Sequence, residues 1–504
     1  MSRAVSSLLV LVLASCGLSA VTPPIPPDAI LDHIKFLASD ELRGRGNGTE
    51  GLERAADYIA AEFKEAGLRP VGGSNWFQPF ELTIGVTVGG TNGLVIRGAK
   101  QSVTLSLGTS YLPIAATPSN APVSITGLGV VFAGYGISAP EVMYDDYERL
   151  DVTGKAVLIF SHEPQENRAD SRLNGNRPLR ETTVYAKAMA ARTRGARALI
   201  VVSDPSHRVD EVNYRAFLAD PDPEDHAIPV LRVQRDAVAP LIEELGLERL
   251  AKMIEQDLVP RSRPLPGVTL DYTQELATNR RTLRNVVGIL PGADAARDDE
   301  AVVLGGHYDH VGLGGRFSSS PDRTGEIHNG ADDNASGVAA LIEIGRAAAA
   351  DRSRFPRSLV FVAFAGEERG LFGSAHYANN PAIPMADTIA MLNLDMIGRP
   401  RRGVEVGGMA SAQPLRAEVE GAGRIAGIDV RTSTIGAGRS DDASFLDKRV
   451  PALHLFTGFH DDYHRPTDDW QGIDAAGTAR VATLALELAA RLAARADRLQ
   501  FAAP

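Results

Sequence analysis

From Asn285 to the C-terminus, short and uniformly apolar runs recur: Val286–Leu290, Ala301–Leu304, Leu359–Phe364, Ile389–Leu394 and Pro451–Phe456. A run of this kind without polar alternation reads as a strand buried on both faces. Between the runs lie helical patterns. Val338, Leu341, Ile342 and Gly345 follow Ser336, and Val481, Leu484, Leu488 and Leu492 form one stripe near the end. Buried strands alternating with helices predict an α/β fold with a mostly parallel sheet flanked by helices. In such a sheet, ligands bind at the carboxyl ends of the strands.

Those ends carry the chemistry of the chain. Ala301–Leu304 runs into Gly305-Gly306-His307-Tyr308-Asp309-His310, and Leu359–Phe364 into Ala365-Gly366-Glu367-Glu368. Ile389–Leu394 is followed by Asp395-Met396, and Pro451–Phe456 leads to His460-Asp461-Asp462-Tyr463-His464. A fifth cluster, Gly330-Ala331-Asp332-Asp333-Asn334, opens the helix at Val338. Taken singly, each has an ordinary reading: Asp332, Asp333 or Ser336 can cap the following helix. Together they would be costly to hold unless a cation neutralised them. Imidazoles and carboxylates without thiolates suit a pair of divalent ions in a hydrolase. In the adjacent pair Glu367-Glu368, one carboxylate can bind metal while the other faces substrate and takes a proton. His33, His328 and His376 read as bystanders.

Composition narrows the class. Lys+Arg is 52 against Asp+Glu 63, a formal charge of −11, which argues against nucleic-acid binding. A length of 504 residues suggests two to four domains. Asp28 to Gly67 predicts two helices interrupted by a loop at Arg43-Gly44-Arg45-Gly46-Asn47-Gly48. Residues 78–112 read as short strands, 123–275 as strands mixed with polar loops, and 163–181 as an exposed or mobile loop. The single cysteine, Cys16, excludes an intramolecular disulfide. It closes an apolar segment ending Leu13-Ala14-Ser15-Cys16 and precedes the extended spacer Thr22-Pro23-Pro24-Ile25-Pro26-Pro27.

The strand-end motifs resemble the co-catalytic di-zinc aminopeptidases, a family that also includes glutamate carboxypeptidase. The matching residues are Gly306-His307-Tyr308-Asp309, Asn329 through Gly337, Gly366 through Ser374, Leu392-Asn393-Leu394-Asp395-Met396 and Tyr463-His464. Upstream, His33 through Leu42 with Gly44-Arg45-Gly46 is similar to the family's N-terminal segment. The resemblance implies an aminopeptidase-like fold holding two zinc ions or other divalent metals. Asp333 would bridge the ions, with His307 and Asp395 completing one site and Glu368 and His464 the other. Glu367 would be the general base, and Asp309 would orient His307. His310 and Asp332 are the neighbouring alternatives in this assignment. Ser440-Asp441-Asp442 resembles a substrate-pocket loop, but family members often have His where this chain has Asp442, and that position takes no role.

Residues from about 124 to 228 resemble the protease-associated domain inserted in some members, through Val131-Phe132-Ala133-Gly134-Tyr135-Gly136-Ile137 and Gly154-Lys155-Ala156-Val157-Leu158. Leu13 to Cys16 resembles the lipobox of bacterial lipoproteins; ordinary cleavage after Leu18-Ser19-Ala20 is the competing reading. The expected organisation is a signal peptide over 1–15, a tether over 16–27, an N-terminal part of the peptidase domain over 28–110, the insert over 111–270 and the catalytic domain over 271–504. The resemblance implies hydrolysis of N-terminal residues from peptides, at a cell envelope to which Cys16 is lipid-anchored, or after secretion. A glutamate-type carboxypeptidase, a one-metal glutaminyl cyclase and a non-catalytic binding protein are the alternatives. Arg399 and Arg439 keep the first of these open, because a substrate carboxylate calls for arginine.

Overall fold

The computed structural model describes residues 25–502 except 72, 114–122, 167, 169, 174–179, 206–227, 316, 321–322 and 433–437. Cys16, the signal segment and most of the proline spacer lie outside the described residues. Among those described, no helix is long and apolar enough to cross a membrane.

Among the described residues, the larger of two main sheets has nine strands, and its centre is parallel. Ala301–His307 lies between Ser358–Phe364 and Thr388–Leu394, and Thr388–Leu394 pairs in turn with Ala452–Phe456, all in the same direction. Alternation assigns the faces: Val302 and Leu304 point into one apolar cluster, Ala301 and Val303 into the other. Helices Pro27–Leu37, Glu50–Glu65, Gly337–Ala350 and Ala475–Ala494 contribute buried residues to the first cluster. The short helices Phe372–Asn379 and Asp442–Asp447 supply Tyr377 and Phe445 to the second. Both faces are therefore covered, which is why these strands read as unbroken apolar runs.

The flanks depart from the expected parallel arrangement. The run Val286–Leu290 ends a long strand, Leu276–Leu290, that is antiparallel to Ser358–Phe364 and to Phe77–Val88. Val404–Gly407 is antiparallel to Ala452–Phe456. Apolarity marks burial on two faces but carries no direction.

The second sheet has eight strands, drawn from residues Gly93 to Gln274, and it lies in the chain between Phe77–Val88 and Leu276–Leu290 of the first. Its four-strand parallel core runs Val123–Phe132, Ala156–Phe160, Ala198–Val202, Val230–Val233. Gly93–Arg97 and Ser102–Leu105, expected in the N-terminal part of the peptidase domain, hydrogen-bond into this sheet through Arg263–Gln274. The supposed exposed loop over 163–181 is also different: Glu163, Gln165, Ser171 and Leu173 are buried. Arg168, Asp170 and Arg172 in the same stretch are exposed, and Gln165 is held by hydrogen bonds to Glu255.

Candidate metal centre

The register of the parallel strands brings their carboxyl ends side by side. His307 stands opposite Phe364, and Gly305 opposite Asn393, so the segments after each strand start at one edge. His307 Nε2 lies 3.3 Å from Asp333 Oδ1, 3.4 Å from Asp395 Oδ1 and 3.9 Å from Glu367 Oε2. On the other side of Asp333, His464 Nε2 lies 3.1 Å from Asp333 Oδ2 and 3.0 Å from Glu368 Oε2. Three overlapping donor groups result among the described residues, one of them made of His307, Glu367 and Glu368. Of the other two, His307, Asp333 and Asp395 form one, and His310, Asp333, Glu368 and His464 form the other; within each, the ligand-type atoms lie within 4.8 Å of one another. Asp333 belongs to these two, while His307 and Glu368 each link one of them to the third.

Each imidazole is aimed by its second nitrogen. His307 Nδ1 is 3.1 Å from the backbone carbonyl of Asp309, and His464 Nδ1 is 2.7 Å from that of Phe317. A carbonyl can only accept, so Nδ1 carries the hydrogen and Nε2 presents a lone pair to the centre. The carboxylate of Asp309, expected to orient His307, stands 3.9 Å from His307 Nδ1. It accepts instead the N–H groups of Glu367 (3.1 Å) and Glu368 (3.3 Å) and the amide of Asn47 (2.7 Å). The side chain of Asp309 thus fixes the turn bearing the two glutamates, while its main chain fixes His307.

Asp332 points away from the centre. Its Oδ1 accepts from Gly398 N–H (2.7 Å) and Ser336 Oγ (3.0 Å), and its Oδ2 faces His460 Nε2 at 3.2 Å. His310 does belong at the centre, with Nδ1 2.7 Å from Glu368 Oε1. Asp468, which sequence reasoning passed over, accepts the N–H groups of both Asp332 and Asp333 and so aims the shared carboxylate. No sequence pattern marked it. Arg399 is spent on Asp462 and Asp468 at 2.6 and 2.7 Å, whereas Arg439 lines the pocket above the centre with Met396, His454, Phe456, Phe459 and Tyr463. Asp442 faces His454 at 3.6 Å.

The electrostatics ask for a cation. Burial opposes charge on the His464 imidazole, yet Glu368 and Asp333 raise it to about 11. Burial likewise opposes charge on His307, but Glu367, Asp395 and Asp333 hold it well above the usual imidazole range. Burial and Asp333 push the Glu368 carboxyl up, and His464 and His310 outweigh them, leaving it at about 2. Glu367 is the exception. Burial, followed by its neighbours Glu368, Asp395 and Asp441, raises it well above the carboxylate range despite His307. A group that retains a proton beside ionised neighbours has the character of an acid–base catalyst.

The residues fit a divalent metal. The donors are imidazole and carboxylate only, and the buried Nε2 of His310 makes no hydrogen bond among the described residues. At the centre itself, Asp395 Oδ1 and His464 Nε2 are also buried without a hydrogen bond among the described residues, the condition a bound cation would satisfy.

Comparison with known proteins agrees with this geometry. Residues 285–489 match the model of peptidase family M28, and residues 119–241 that of the PA domain. Leupeptin-inactivating enzyme 1 of Streptomyces exfoliatus is 31% identical over 188 residues, 37% of this chain and 38% of that protein. A probable zinc metalloprotease of Pyrenophora teres f. teres is 32% identical over 161 residues, 32% of each. The chain thus spans about a third of the length of these curated relatives. An aminopeptidase from Aneurinibacillus sp. strain AM-1 shares the fold at a TM-score of 0.57 and 21% identity, covering 96% of this chain and 97% of its own. The zinc aminopeptidase BSAP from Bacillus subtilis does so at 0.51 and 18%, covering 92% and 94%. The segment that carries the centre is thus the one that matches peptidase family M28, and the PA-domain match falls between two strands of the main sheet.

Proposed function

We propose that the chain is a zinc-dependent aminopeptidase with two metal sites that share Asp333. The observation that carries this reading is the pair of donor groups that share Asp333, with Glu367 lining the same pocket beside His307. His307, Asp333 and Asp395 would hold one ion; Asp333, Glu368 and His464, with His310 beside them, the other. Zinc bound there supplies Lewis acidity toward a peptide carbonyl and toward water. Glu367 accepts the proton of the attacking water on its free carboxylate oxygen and returns it to the leaving amine nitrogen. Its raised proton affinity suits both halves of that transfer. Asp309 holds the backbone of Glu367 while the proton moves.

The match of residues 285–489 to peptidase family M28 and the fold shared with zinc aminopeptidases support the exopeptidase reading. A glutamate-type carboxypeptidase would need arginines free for a carboxylate; Arg399 is engaged by Asp462 and Asp468, and Arg439, which lines the pocket, is the one residue here that favours that second reading. Assay of purified protein on matched dipeptides with free or blocked amino termini, with and without chelator, tests the proposal. Cleavage only of free amino termini, lost on chelation and restored by zinc, is expected; cleavage of N-blocked peptides alone would reverse the assignment. Anchoring at the cell envelope through Cys16 is part of the same proposal, supported by the Leu13-Ala14-Ser15-Cys16 motif. It is tested by lipid labelling of wild type against Cys16→Ser.

A further inference from the structure

The loop Arg43-Gly44-Arg45-Gly46-Asn47 lies more than two hundred residues upstream of the matched peptidase segment, yet it packs directly behind the centre. Its backbone pairs with the segment after His307: His310 N–H donates to Arg45 O (3.2 Å) and Gly312 N–H to Gly44 O (3.1 Å). The approach is close enough that a Cβ on Gly44 would sit 2.3 Å from the carbonyl oxygen of His328 and 2.5 Å from that of Gly312. Arg43 and Arg45 both adopt φ 48°, a left-handed conformation that non-glycine residues take only when their surroundings impose it.

What the loop delivers is a fully buried guanidinium. Its hydrogen bonds go to backbone carbonyls of three separate segments. Nε donates to Tyr308 O (2.8 Å), Nη1 to Asn329 O (2.7 Å) and Leu37 O, and Nη2 to Gly330 O (3.0 Å). Tyr308 sits between His307 and Asp309, and Gly330 precedes Asp333 by three residues. Burying a charge without a carboxylate partner is costly. Here the field of Asp333, Asp309, Asp468 and Glu368 offsets part of that cost, and burial still lowers the guanidinium to about 10. From the same loop, Asn47 donates to the Asp309 carboxylate that holds the Glu367–Glu368 turn.

We propose that Arg45 and Asn47 are positioning residues of the metal centre, fixing from behind the backbone on which His307, Asp333 and the glutamate pair are mounted. This rests on the reading of the site as a zinc centre. Arginine is required because its planar fork spans carbonyls that the single ammonium of lysine cannot reach together. A merely structural role would stabilise the fold and leave metal affinity alone.

Competition between the full-length protein and a chromogenic chelator for zinc separates the two. Arg45→Lys and Arg45→Gln are expected to bind zinc about 10–100-fold more weakly than wild type, and Asn47→Ala about 10-fold. Leu42→Ala, which removes buried apolar surface in the same segment, should lower the thermal midpoint and keep wild-type zinc affinity. If Arg45→Lys fails to fold, Asn47→Ala alone decides. Wild-type zinc affinity in the folded Arg45 and Asn47 variants, with only the midpoint lowered, overturns the proposal. A wild-type protein that holds no zinc overturns instead the reading of the centre on which it rests.

Discussion

His310 Nδ1 lies 2.7 Å from Glu368 Oε1, deep inside the centre, while its Nε2 is buried without a hydrogen bond among the described residues. The ring therefore steers one of the two adjacent glutamates. Replacing it by alanine should leave Glu368 free to rotate and weaken zinc binding about 10–100-fold at the site shared with His464. Zinc titration of His310→Ala checks this; two equivalents bound with wild-type affinity would remove His310 from the centre.

Glu367 and Glu368 are neighbours in the chain with opposite proton affinities, one raised well above the carboxylate range and the other at about 2. Glu367→Gln keeps the shape and the backbone hydrogen bond to Asp309 but cannot take a proton. Zinc content should stay at the wild-type value while kcat falls by about 10²–10⁴. Near-normal turnover would sink the base assignment.

Asp333 joins the group of His307 and Asp395 to that of His310, Glu368 and His464. Asp333→Ala should weaken both ions together, whereas Asp395→Ala should spare the group formed by His310, Glu368 and His464. Removing metal from the wild-type protein should also cost stability, by about 4 kcal/mol when free zinc had stood 1,000-fold above its dissociation constant. Calorimetry with and without chelator measures this. Undiminished binding of two ions by Asp333→Ala refutes the shared ligand.

A pH effect is expected in the inserted domain. Burial drives the fully enclosed carboxyl of Asp146 up to about 7, against hydrogen bonds from Ile137 N–H, Tyr144 hydroxyl and Tyr135 N–H. The folded state thus binds this proton more tightly than the unfolded chain. The associated stability is complete below about pH 4 and is lost as pH rises to about 7, an effect of at most about 4 kcal/mol. Urea unfolding should find wild type losing ground to Asp146→Asn across that interval and holding level above it. A pH-independent difference between the two would contradict the assignment.

The chemistry of the centre was legible because buried parallel strands advertise themselves as apolar runs, and the residues following them can only lie at the sheet edge. The strand-end clusters were marked on that basis, the family resemblance singled out His307, Asp333, Glu367, Glu368, Asp395 and His464 among them, and the structure brings these six together. The supports were not legible. Asp468 aims Asp333 through two backbone N–H groups from 135 residues away, and its own neighbourhood in sequence is an ordinary polar loop. Strand direction was equally hidden, so Val286–Leu290 read as part of the parallel set although it runs antiparallel.

The sequence by itself determined the strand identities, the donor types and the absence of thiol ligands, because burial and ligand chemistry are local properties of side chains. Tertiary structure decided which of Asp332 and Asp333 enters the centre, that the Asp309 side chain serves the glutamate turn, and that a distant N-terminal loop closes the site from behind. Those outcomes depend on where backbone N–H and carbonyl groups point after folding. Every residue has such groups, so no sequence pattern distinguishes the few that count.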